Sequence, residues 1–417
     1  MDLRLQQSTI NCHHELVEGQ QSTIKITGSK SETNRLLLLQ ALYPNISLEN
    51  TSNSDDSEVM LKALVTNSKQ IDVHHAGTAM RFLTAFFAIQ EGKEVVLTGS
   101  SRMKERPIKI LVEALKQLGA DITYEEREGF PPIKIQGKKL TKSKVSLPAN
   151  VSSQYISALL LIAPKLENGL ELTLEGEITS IPYIKMTLAL LNEIGATTSF
   201  VENKIIVKPL QSAICNLQSV ESDWSSASYW YSIVALSEIG TQISLSSYKQ
   251  NSLQGDSVLS KIYKDFGVET IFNTNKSITI LKSATCNLQS VICNLNNSPD
   301  IAQTIAVTCF GLGIGCNLTG LHTLKIKETD RLEALKTELS KLGANISVTD
   351  DSLTIQQCNT LNSNITIATY QDHRMAMAFA PLALKTLLII QDAEVISKSY
   401  PTFWEDLKSI GFQLEEV

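Results

Sequence analysis

The sequence lacks several patterns that identify common classes of enzyme and membrane protein. Its seven cysteines form no Cys-x-x-Cys pair, and no apolar run approaches the roughly 18 residues that would cross a bilayer. With 37 basic and 43 acidic residues, the net charge of −6 argues against a broad basic surface for nucleic acid. The segment Met1–Gln7 has no apolar signal-peptide core, so we expect a cytoplasmic protein with reduced thiols.

Motifs for nucleotide binding and for serine or metal catalysis are also missing. The segment Gly28-Ser-Lys-Ser31 lacks the earlier glycine of a P-loop, and neither Gly-x-Gly-x-x-Gly nor Gly-x-Ser-x-Gly occurs. The two histidine pairs, His13-His14 and His74-His75, consist of adjacent residues, whose side chains point to opposite faces of a strand. We therefore expect neither a metal nor a cofactor.

One pattern recurs along the chain: an amphipathic helix ends at a glycine and is followed by a strand. These glycines recur at 68- to 76-residue intervals, as Gly119, Gly195, Gly267, Gly343 and Gly411. A degraded sixth copy spans 59–73, which gives an α/β fold of about six units. Because a single core stops growing beyond ~250–300 residues, we predict two domains of three units. They comprise residues 28–221 and, as a discontinuous domain, residues 1–27 plus 222–417.

Each unit also carries a second helix, and cations cluster near the starts of these helices. The second helices are predicted at 31–43, 78–90, 153–163, 226–237, 301–311 and 373–384. The cations lie in segments rich in Gly, Ser, Thr, Ala and Met, and are Lys30, Arg35, Arg81, Arg106, Lys327, Arg331, Arg374 and Lys398. Helix N-termini carry about +0.5 charge and unsatisfied N–H groups, which attract phosphate and carboxylate. The pattern predicts a polyanion site assembled from distant parts of the chain.

Six motifs taken together resemble the enolpyruvyl transferases, over residues 28–401. They read Gly28-Ser-Lys-Ser-x-x-x-Arg35, Ala76-Gly-Thr-Ala-Met-Arg81, Arg102-Met-Lys-Glu-Arg-Pro107, Val151-Ser-Ser-Gln154, Lys327-Glu-Thr-Asp-Arg331 and Asp372-His-Arg-Met375. The resemblance implies two domains, each of three βαβαββ units in an inside-out α/β barrel-like arrangement, with the active site in the cleft between them. It also implies a transferase of the shikimate pathway to chorismate and aromatic amino acids, and a target of glyphosate.

Within that family, the motifs resemble the members that act on shikimate 3-phosphate. Those enzymes transfer the enolpyruvyl (carboxyvinyl) group of phosphoenolpyruvate to the 5-hydroxyl, by addition and elimination through a tetrahedral intermediate, and release phosphate. The resemblance implies two small-molecule partners, shikimate 3-phosphate and phosphoenolpyruvate, and no nucleic acid or membrane. Nothing in the sequence indicates an obligate oligomer, so we expect a monomer.

The resemblance also implies roles for individual residues. The catalytic residues would be Asp300, Glu328 and Lys30. Shikimate 3-phosphate would be bound by Lys30, Ser31, Arg35, Ser152, Ser153, Gln154, Ser180, Tyr183, Asp300 and Lys327. Phosphoenolpyruvate would be bound by Lys30, Gly77, Arg106, Gln154, Arg331, Arg374 and Lys398. Because Glu328 has Lys327 and Arg331 as neighbours, we expect it to be buried if its carboxyl is to remain protonatable.

Three positions depart from the best-known members of the family. His75 replaces the Asn before Ala-Gly-Thr, Phe82 replaces a Pro after that motif, and Thr323 replaces an Asn that binds shikimate 3-phosphate there. The alternative functions are a transferase acting on UDP-N-acetylglucosamine and a non-catalytic anion-binding protein. The first would carry a catalytic Cys where Ser101 stands, and the second would have lost Asp300 or Glu328.

Overall fold

A computed structural model describes residues 1–8, 23–149, 152–178, 181–214, 217–284 and 290–417. The chain divides into two units that each have their own packing. The inserted unit comprises Gly28–Val220, and the discontinuous unit comprises Met1–Thr27 with Glu221–Val417. The two units are described separately below.

Helices occur throughout both units. In chain order they are α1 (Lys30–Leu42), α2 (Asp55–Val65), α3 (Gly77–Ala88), α4 (Ser101–Lys104), α5 (Lys109–Leu118), α6 (Ser153–Ile162), α7 (Ile181–Glu193), α8 (Trp224–Leu236), α9 (Leu259–Ile262), α10 (Ala302–Gly311), α11 (Arg331–Lys341), α12 (His373–Phe379) and α13 (Phe403–Ser409). The six second helices predicted from the sequence are α1, α3, α6, α8, α10 and α12, so that prediction is confirmed. The last of them ends early and continues as a 3₁₀ turn through Ala380–Leu384, because Pro381 lacks the N–H that an α-helix requires.

These six helices are the inner helices of their units. In α3 every residue except Thr78 is buried, because the helix is apolar around almost its whole circumference. In the inserted unit, α1, α3 and α6 contact one another, and in the discontinuous unit α10 contacts both α8 and α12. The residues at the starts of the inner helices are therefore brought near each other within each unit.

The remaining long helices lie outside them and have one buried face. In α5 the buried residues are Leu111, Val112, Ala114, Leu115 and Leu118, the spacing of a helix that packs on one side. Gly119 then caps α5 at φ 105°, a left-handed conformation that costs glycine little. The other glycines predicted to end helices also have positive φ, with 101° at Gly195, 74° at Gly267, and 105° at Gly343 and Gly411. This prediction is confirmed.

The described strands form five four-stranded sheets and one two-stranded sheet. The inserted unit contains β4 (Gln70–Asp72), β5 (Glu94–Thr98), β7 (Ile133–Gln136) and β6 (Asp121–Tyr124); β8 (Lys144–Pro148), β9 (Leu170–Glu175), β11 (Lys204–Val207) and β10 (Thr198–Val201); and the pair β3 (Ser47–Glu49) and β12 (Leu217–Ser219). The discontinuous unit contains β2 (Thr23–Ile24), β13 (Gln242–Leu245), β15 (Ile278–Lys282) and β14 (Val268–Phe272); β16 (Ser290–Asn294), β17 (Gly315–Thr319), β19 (Ser352–Ile355) and β18 (Ile346–Val348); and β20 (Ile365–Ile367), β21 (Leu388–Ile390), β1 (Leu3–Leu5) and β22 (Leu414–Glu416).

All five four-stranded sheets have the same pairing pattern. The first two strands are parallel, and each of the other two is antiparallel to the strand before it in the sheet, as in β4-β5-β7-β6, where Ile71 pairs with Leu97 and Val95 with Ile135. A parallel pair needs a crossover connection, and an inner helix makes it. In the last sheet, β1 from the N-terminus pairs with β21 and β22. The N-terminal segment thus completes a sheet of the C-terminal region.

Candidate active site

The start of α1 carries the first predicted ligands, Lys30 and Ser31. Lys30 is the first residue of the helix, after Ser29. Its Nζ lies 3.8 Å from Oδ2 of Asp56, a carboxylate on α2 that is mostly buried. This ion pair links the start of α1 to α2, and the helix dipole at the start of α1 also favours an anion.

Arg35 lies one turn further along α1 and is buried. Its Nε donates to Thr187 Oγ1 at 2.8 Å, its Nη2 to Ser157 Oγ at 2.9 Å and its Nη1 to the Ser31 carbonyl at 2.6 Å. Burial lowers the pKa of Arg35 to about 10, so the side chain stays charged at neutral pH. The sequence assigned Arg35 to a substrate; in the structure it also joins α1 to α6 and α7.

The start of α3 contacts Arg106. A Cβ added to Gly77 would lie 2.5 Å from Arg106 Nη1, so only glycine lets the guanidinium approach the helix this closely. The segment before Arg106 carries two other cations, and both are neutralised at the surface. Arg102 Nη1 lies 2.8 Å from Glu105, and Lys104 Nζ lies 2.7 Å from Glu126.

Among the residues that the structure describes, no carboxylate forms such an ion pair with Arg106. Its charge therefore remains available to an anion. The structure brings Gly77 and Arg106 together, as expected for two residues that bind one phosphate.

The start of α6 lies beside the start of α3. Ser152 caps α6 by accepting from the Gln154 N–H at 3.4 Å, which leaves Ser153 as the first helical residue. The Gln154 side chain then donates from Nε2 to Thr78 Oγ1 at 3.1 Å. The predicted ligands Ser152, Ser153 and Gln154 are thus next to the Gly77–Arg106 contact.

Two further predicted ligands belong to the region of α7. Tyr183 lies in the first turn of this helix, and the centre of its ring is 6.0 Å from the Arg35 guanidinium carbon. Ser180 lies outside the described residues, so its placement is not assessed.

In the discontinuous unit, the predicted catalytic carboxylates meet at Arg331. Asp330 caps α11 by accepting from the Leu332 N–H at 3.1 Å, which makes Arg331 the first residue of the helix. Arg331 is 1% exposed, and its Nη1 donates to Asp300 Oδ1 at 2.9 Å while its Nη2 donates to Glu328 Oε2 at 2.8 Å. Since the two nitrogens belong to one guanidinium, the two carboxylates lie side by side.

A third carboxylate completes the surroundings of Arg331. This carboxylate is that of Asp372: Arg331 Nε donates to Asp372 Oδ2 at 2.6 Å, and Arg331 Nη2 donates to Asp372 Oδ1 at 3.3 Å. Burial alone would lower the pKa of Arg331, but the charges of Asp372, Glu328 and Asp300 outweigh it and raise the pKa. Glu328 itself is 26% exposed, so the expectation that it is buried is met only in part.

Three cations surround Asp300. Besides Arg331, Lys327 Nζ lies 3.4 Å from Asp300 Oδ1 and Arg374 Nη2 lies 3.6 Å from Asp300 Oδ2. Arg374 Nη1 also donates to the Asp300 backbone carbonyl at 3.1 Å. Lys398 Nζ donates to the backbone carbonyl of Gln371, the residue before Asp372, at 2.6 Å.

The sequence analysis missed a buried carboxylate in this group, Asp256. Arg374 Nη2 donates to Ser225 Oγ at 3.3 Å, and the Ser225 hydroxyl in turn donates to Asp256 Oδ2. Burial, reinforced by the charge of Asp300, raises the pKa of Asp256 to about 7, although Arg374 opposes the shift. Asp256 lies in a turn between β13 and α9, where no periodic pattern distinguishes it from a surface aspartate.

Asp256 makes the stability of the protein depend on pH. An unfolded aspartate has a pKa of about 3.9. Between that pH and about 7, the folded state therefore binds a proton at Asp256 that the unfolded state does not bind. Stability is therefore lost as the pH rises through this window. Between pH 5 and pH 8 the free energy of unfolding of the wild type should fall by about 2–3 kcal/mol through this group. The variant Asp256→Asn should not show this loss, so the difference in stability between the two proteins should shift by the same amount in favour of the variant.

Urea unfolding at both pH values measures this change, with the exposed Asp265→Asn as the matched control. The control should keep a constant offset from the wild type. An equally constant offset for Asp256→Asn would contradict a protonated Asp256.

The three departures from the family pattern have different surroundings. Phe82 is buried, and the Arg35 guanidinium carbon lies 5.4 Å from the centre of its ring. His75 Nε2 lies 4.0 Å from Asp55 Oδ2. The Thr323 hydroxyl oxygen is buried and has no hydrogen-bond partner among the described residues.

No described helix is both long and apolar enough to cross a membrane. No group of three or more His, Cys, Asp or Glu residues in the described ranges is arranged to hold a metal ion.

Comparison with known proteins gives consistent results. A sequence model of the family described as EPSP synthase (3-phosphoshikimate 1-carboxyvinyltransferase) matches residues 64–407. A 3-phosphoshikimate 1-carboxyvinyltransferase of Bacteroides fragilis (strain YCH46) is 46% identical over 398 residues, which cover 94% of this chain and 96% of that protein. The protein of the same name from Haemophilus influenzae (strain PittGG) is 37% identical over 432 residues, with 94% and 96% covered.

Solved structures show the same fold. The 2.37 Å structure of EPSP synthase from Acinetobacter baumannii matches with a TM-score of 0.80 and 20% sequence identity, and all of both chains is covered. A second structure of EPSP synthase from the same species matches with a TM-score of 0.78 and 19% identity, again over both whole chains.

Proposed function

Since this chain belongs to the EPSP synthase family, we propose that it transfers the enolpyruvyl group of phosphoenolpyruvate to the 5-hydroxyl of shikimate 3-phosphate and releases phosphate. The motifs that carry the family resemblance include Glu328 and cations from both units. The reaction places the protein in the shikimate pathway, which leads to chorismate and the aromatic amino acids.

The charge of the substrates explains the number of cations. Each substrate carries a phosphate and a carboxylate, so bringing the two together is opposed by electrostatic repulsion. Arginine matches both groups, since its planar fork donates two parallel hydrogen bonds to two oxygens. A site for this reaction therefore needs several cations that the protein itself does not fully neutralise, and Arg106 against Gly77 meets that requirement.

The observation that carries the proposal is the pair Asp300 and Glu328 on the single buried guanidinium of Arg331. In the addition step the 5-hydroxyl oxygen attacks C2 of phosphoenolpyruvate, its proton leaves, and C3 gains a proton. In the elimination step C3 loses that proton while the C2–O bond to phosphate breaks. One group must accept the hydroxyl proton, and another must deliver and recover the C3 proton. We assign this acid–base work to the two carboxylates.

The remaining assignments follow the family motifs. We propose that Lys30 assists catalysis near phosphoenolpyruvate and also contacts shikimate 3-phosphate. The other proposed ligands of shikimate 3-phosphate are Ser31, Arg35, Ser152, Ser153, Gln154, Ser180, Tyr183, Asp300 and Lys327. Those of phosphoenolpyruvate are Gly77, Arg106, Gln154, Arg331, Arg374 and Lys398.

The broader organisation is part of the same proposal. We propose that residues 28–221 and residues 1–27 plus 222–417 are two domains, each of three βαβαββ units, and that the protein acts as a monomer in the cytoplasm. The common pairing pattern of the five four-stranded sheets supports the repeat. Size-exclusion chromatography with light scattering tests the monomer, whose mass would be 45.9 kDa.

Phosphate release tests the proposed function. The purified protein is incubated with phosphoenolpyruvate and either shikimate 3-phosphate or UDP-N-acetylglucosamine. We expect phosphate release when the acceptor is shikimate 3-phosphate and none when it is UDP-N-acetylglucosamine. Ser101 stands where the transferase for the nucleotide sugar carries a catalytic cysteine. Release only with the nucleotide sugar, or none from folded protein with either acceptor, would refute the proposal.

A further inference from the structure

The backbone carbonyl of Pro107, directly after Arg106, accepts two hydrogen bonds from two different helices. Tyr155 Oη on α6 donates to it at 2.6 Å, and Arg81 Nη2 on α3 donates to it at 3.1 Å. A carbonyl oxygen has two lone pairs, so both of its acceptor positions are used. The residue that follows Arg106 is therefore attached to α3 and α6, two inner helices whose N-termini carry predicted ligands.

Arg81 is itself held in place. Its Nη1 donates to the Gly77 carbonyl at 3.1 Å, and its guanidinium carbon lies 6.0 Å from the centre of the Tyr155 ring. Burial, together with the nearby charge of Arg106, lowers the pKa of Arg81 to about 10. Two arginines this close repel each other, so the carbonyls of Gly77 and Pro107 are needed to keep Arg81 in position.

These contacts constrain Arg106 from two sides. Its guanidinium lies against Gly77, where a side chain would displace it, and its backbone is fixed one residue later through Pro107. The Arg106 N–H also bonds to the Met103 carbonyl at 3.0 Å, so the chain on both sides of Arg106 is attached. A charged side chain held in this way is oriented before a ligand arrives, which reduces the entropy lost on binding.

We propose that Tyr155 is a positioning residue for Arg106: through the Pro107 carbonyl, and together with Arg81, its hydroxyl sets where the Arg106 guanidinium meets an anion at the start of α3. This inference rests on the proposed function, which assigns Arg106 to phosphoenolpyruvate. It adds a residue that the sequence motifs do not assign. Tyr155 acts on the ligand only through Arg106, and so determines affinity for phosphoenolpyruvate more than the rate of the chemical step.

The test compares Tyr155→Phe with a matched control, Tyr43→Phe. Both tyrosines are buried in the inserted unit, at 6% and 2% exposure, and Tyr43 also donates its hydroxyl to a backbone carbonyl, that of Leu210 at 2.9 Å. Each variant loses one hydroxyl and one hydrogen bond and keeps its ring. Any general loss of stability is therefore expected to be similar in the two proteins.

Steady-state kinetics gives the first readout. We expect Tyr155→Phe to raise the KM for phosphoenolpyruvate by about five-fold, the effect of one hydrogen bond, with kcat and the KM for shikimate 3-phosphate changed by less than about two-fold. Tyr43→Phe should leave all three parameters within about two-fold of the wild type. Equal KM values for phosphoenolpyruvate in the two variants would overturn the inference.

Hydrogen exchange gives a second readout that needs no activity. Tyr155→Phe should accelerate amide exchange in the peptide covering residues 102–108 relative to the wild type, and Tyr43→Phe should not. Absence of that acceleration refutes the positioning role even if the protein catalyses the reaction. A wild-type protein that does not turn over refutes the proposed function instead, and the exchange data would still decide whether Tyr155 fixes the loop.

Discussion

Replacing Glu328 by glutamine is expected to reduce kcat by about 10²–10⁴-fold, the usual contribution of a general acid–base group. Glutamine has the same size and keeps an oxygen that can accept from Arg331 Nη2, as the carboxylate does at 2.8 Å. It cannot take up or release a proton at neutral pH. Because the geometry is preserved, the KM values of both substrates should change far less than kcat.

The matched control for this substitution is Glu333→Gln. Glu333 lies on α11, two residues after Arg331, and its exposed carboxylate pairs with Lys336 at 3.3 Å. Its loss should leave kcat within about two-fold of the wild type, since exposed ion pairs contribute little. If the two variants had the same kcat, Glu328 would have no acid–base role. Single-turnover measurements would show whether the loss lies in the chemical step.

Replacing Arg331 by methionine is expected to lower the free energy of unfolding by about 3–5 kcal/mol, the cost of removing one partner from a buried ion pair. The methionine side chain has a similar length but leaves the carboxylates of Asp300, Glu328 and Asp372 without their common cation. Asp300 would retain Lys327 and Arg374 as neighbours. Asp372, which is fully buried, would lose two hydrogen bonds from the guanidinium and is the main source of the expected loss.

Urea unfolding measures this effect, with Lys336→Met as the control. Lys336 lies on the same helix and makes a single exposed ion pair with Glu333, so its loss should cost less than about 1 kcal/mol. Equal unfolding midpoints for the two variants would show that Arg331 does not stabilise the buried carboxylates. The Arg331→Met protein should also lack activity, because Asp300 and Glu328 lose the group that holds them together.

Local features of the fold could be predicted from the sequence because they depend on near neighbours. The helix α5 ends at Leu118 because its apolar stripe stops there and Gly119 follows in the left-handed conformation. The start of α6 follows from Ser152 as a cap. The motif residues at the helix starts could therefore be assigned to elements in advance, and the structure has them there.

Contacts between distant residues could not be predicted in the same way. The sequence places Asp300 and Asp372 31 and 41 residues from Arg331, and nothing local indicates that both lie on one guanidinium. Tyr155 likewise reads as an ordinary buried aromatic of α6 until its hydroxyl is seen on the Pro107 carbonyl. Such pairings depend on how helices pack across a unit, which periodicity does not encode.

Arg35 shows that a motif residue can have structural contacts that the motif does not predict. Its place in Gly28-Ser-Lys-Ser-x-x-x-Arg35 predicts a substrate ligand, whereas its hydrogen bonds to Thr187 and Ser157 also give it a structural part. Arg35 therefore has a structural part beside its proposed role as a ligand. Its replacement would confound stability with binding, which is why Glu328 and Tyr155 are better probes of function.

The most direct test of the account is the fate of carbon-2 of phosphoenolpyruvate during turnover. Phosphoenolpyruvate labelled with ¹³C at C2 is incubated with shikimate 3-phosphate and the protein, and the products are followed by ¹³C and ³¹P NMR. The account predicts that the label appears in an enol ether on the 5-oxygen of shikimate 3-phosphate, with one inorganic phosphate released per product. Label recovered as pyruvate, or left in unchanged phosphoenolpyruvate by a folded protein, would contradict it.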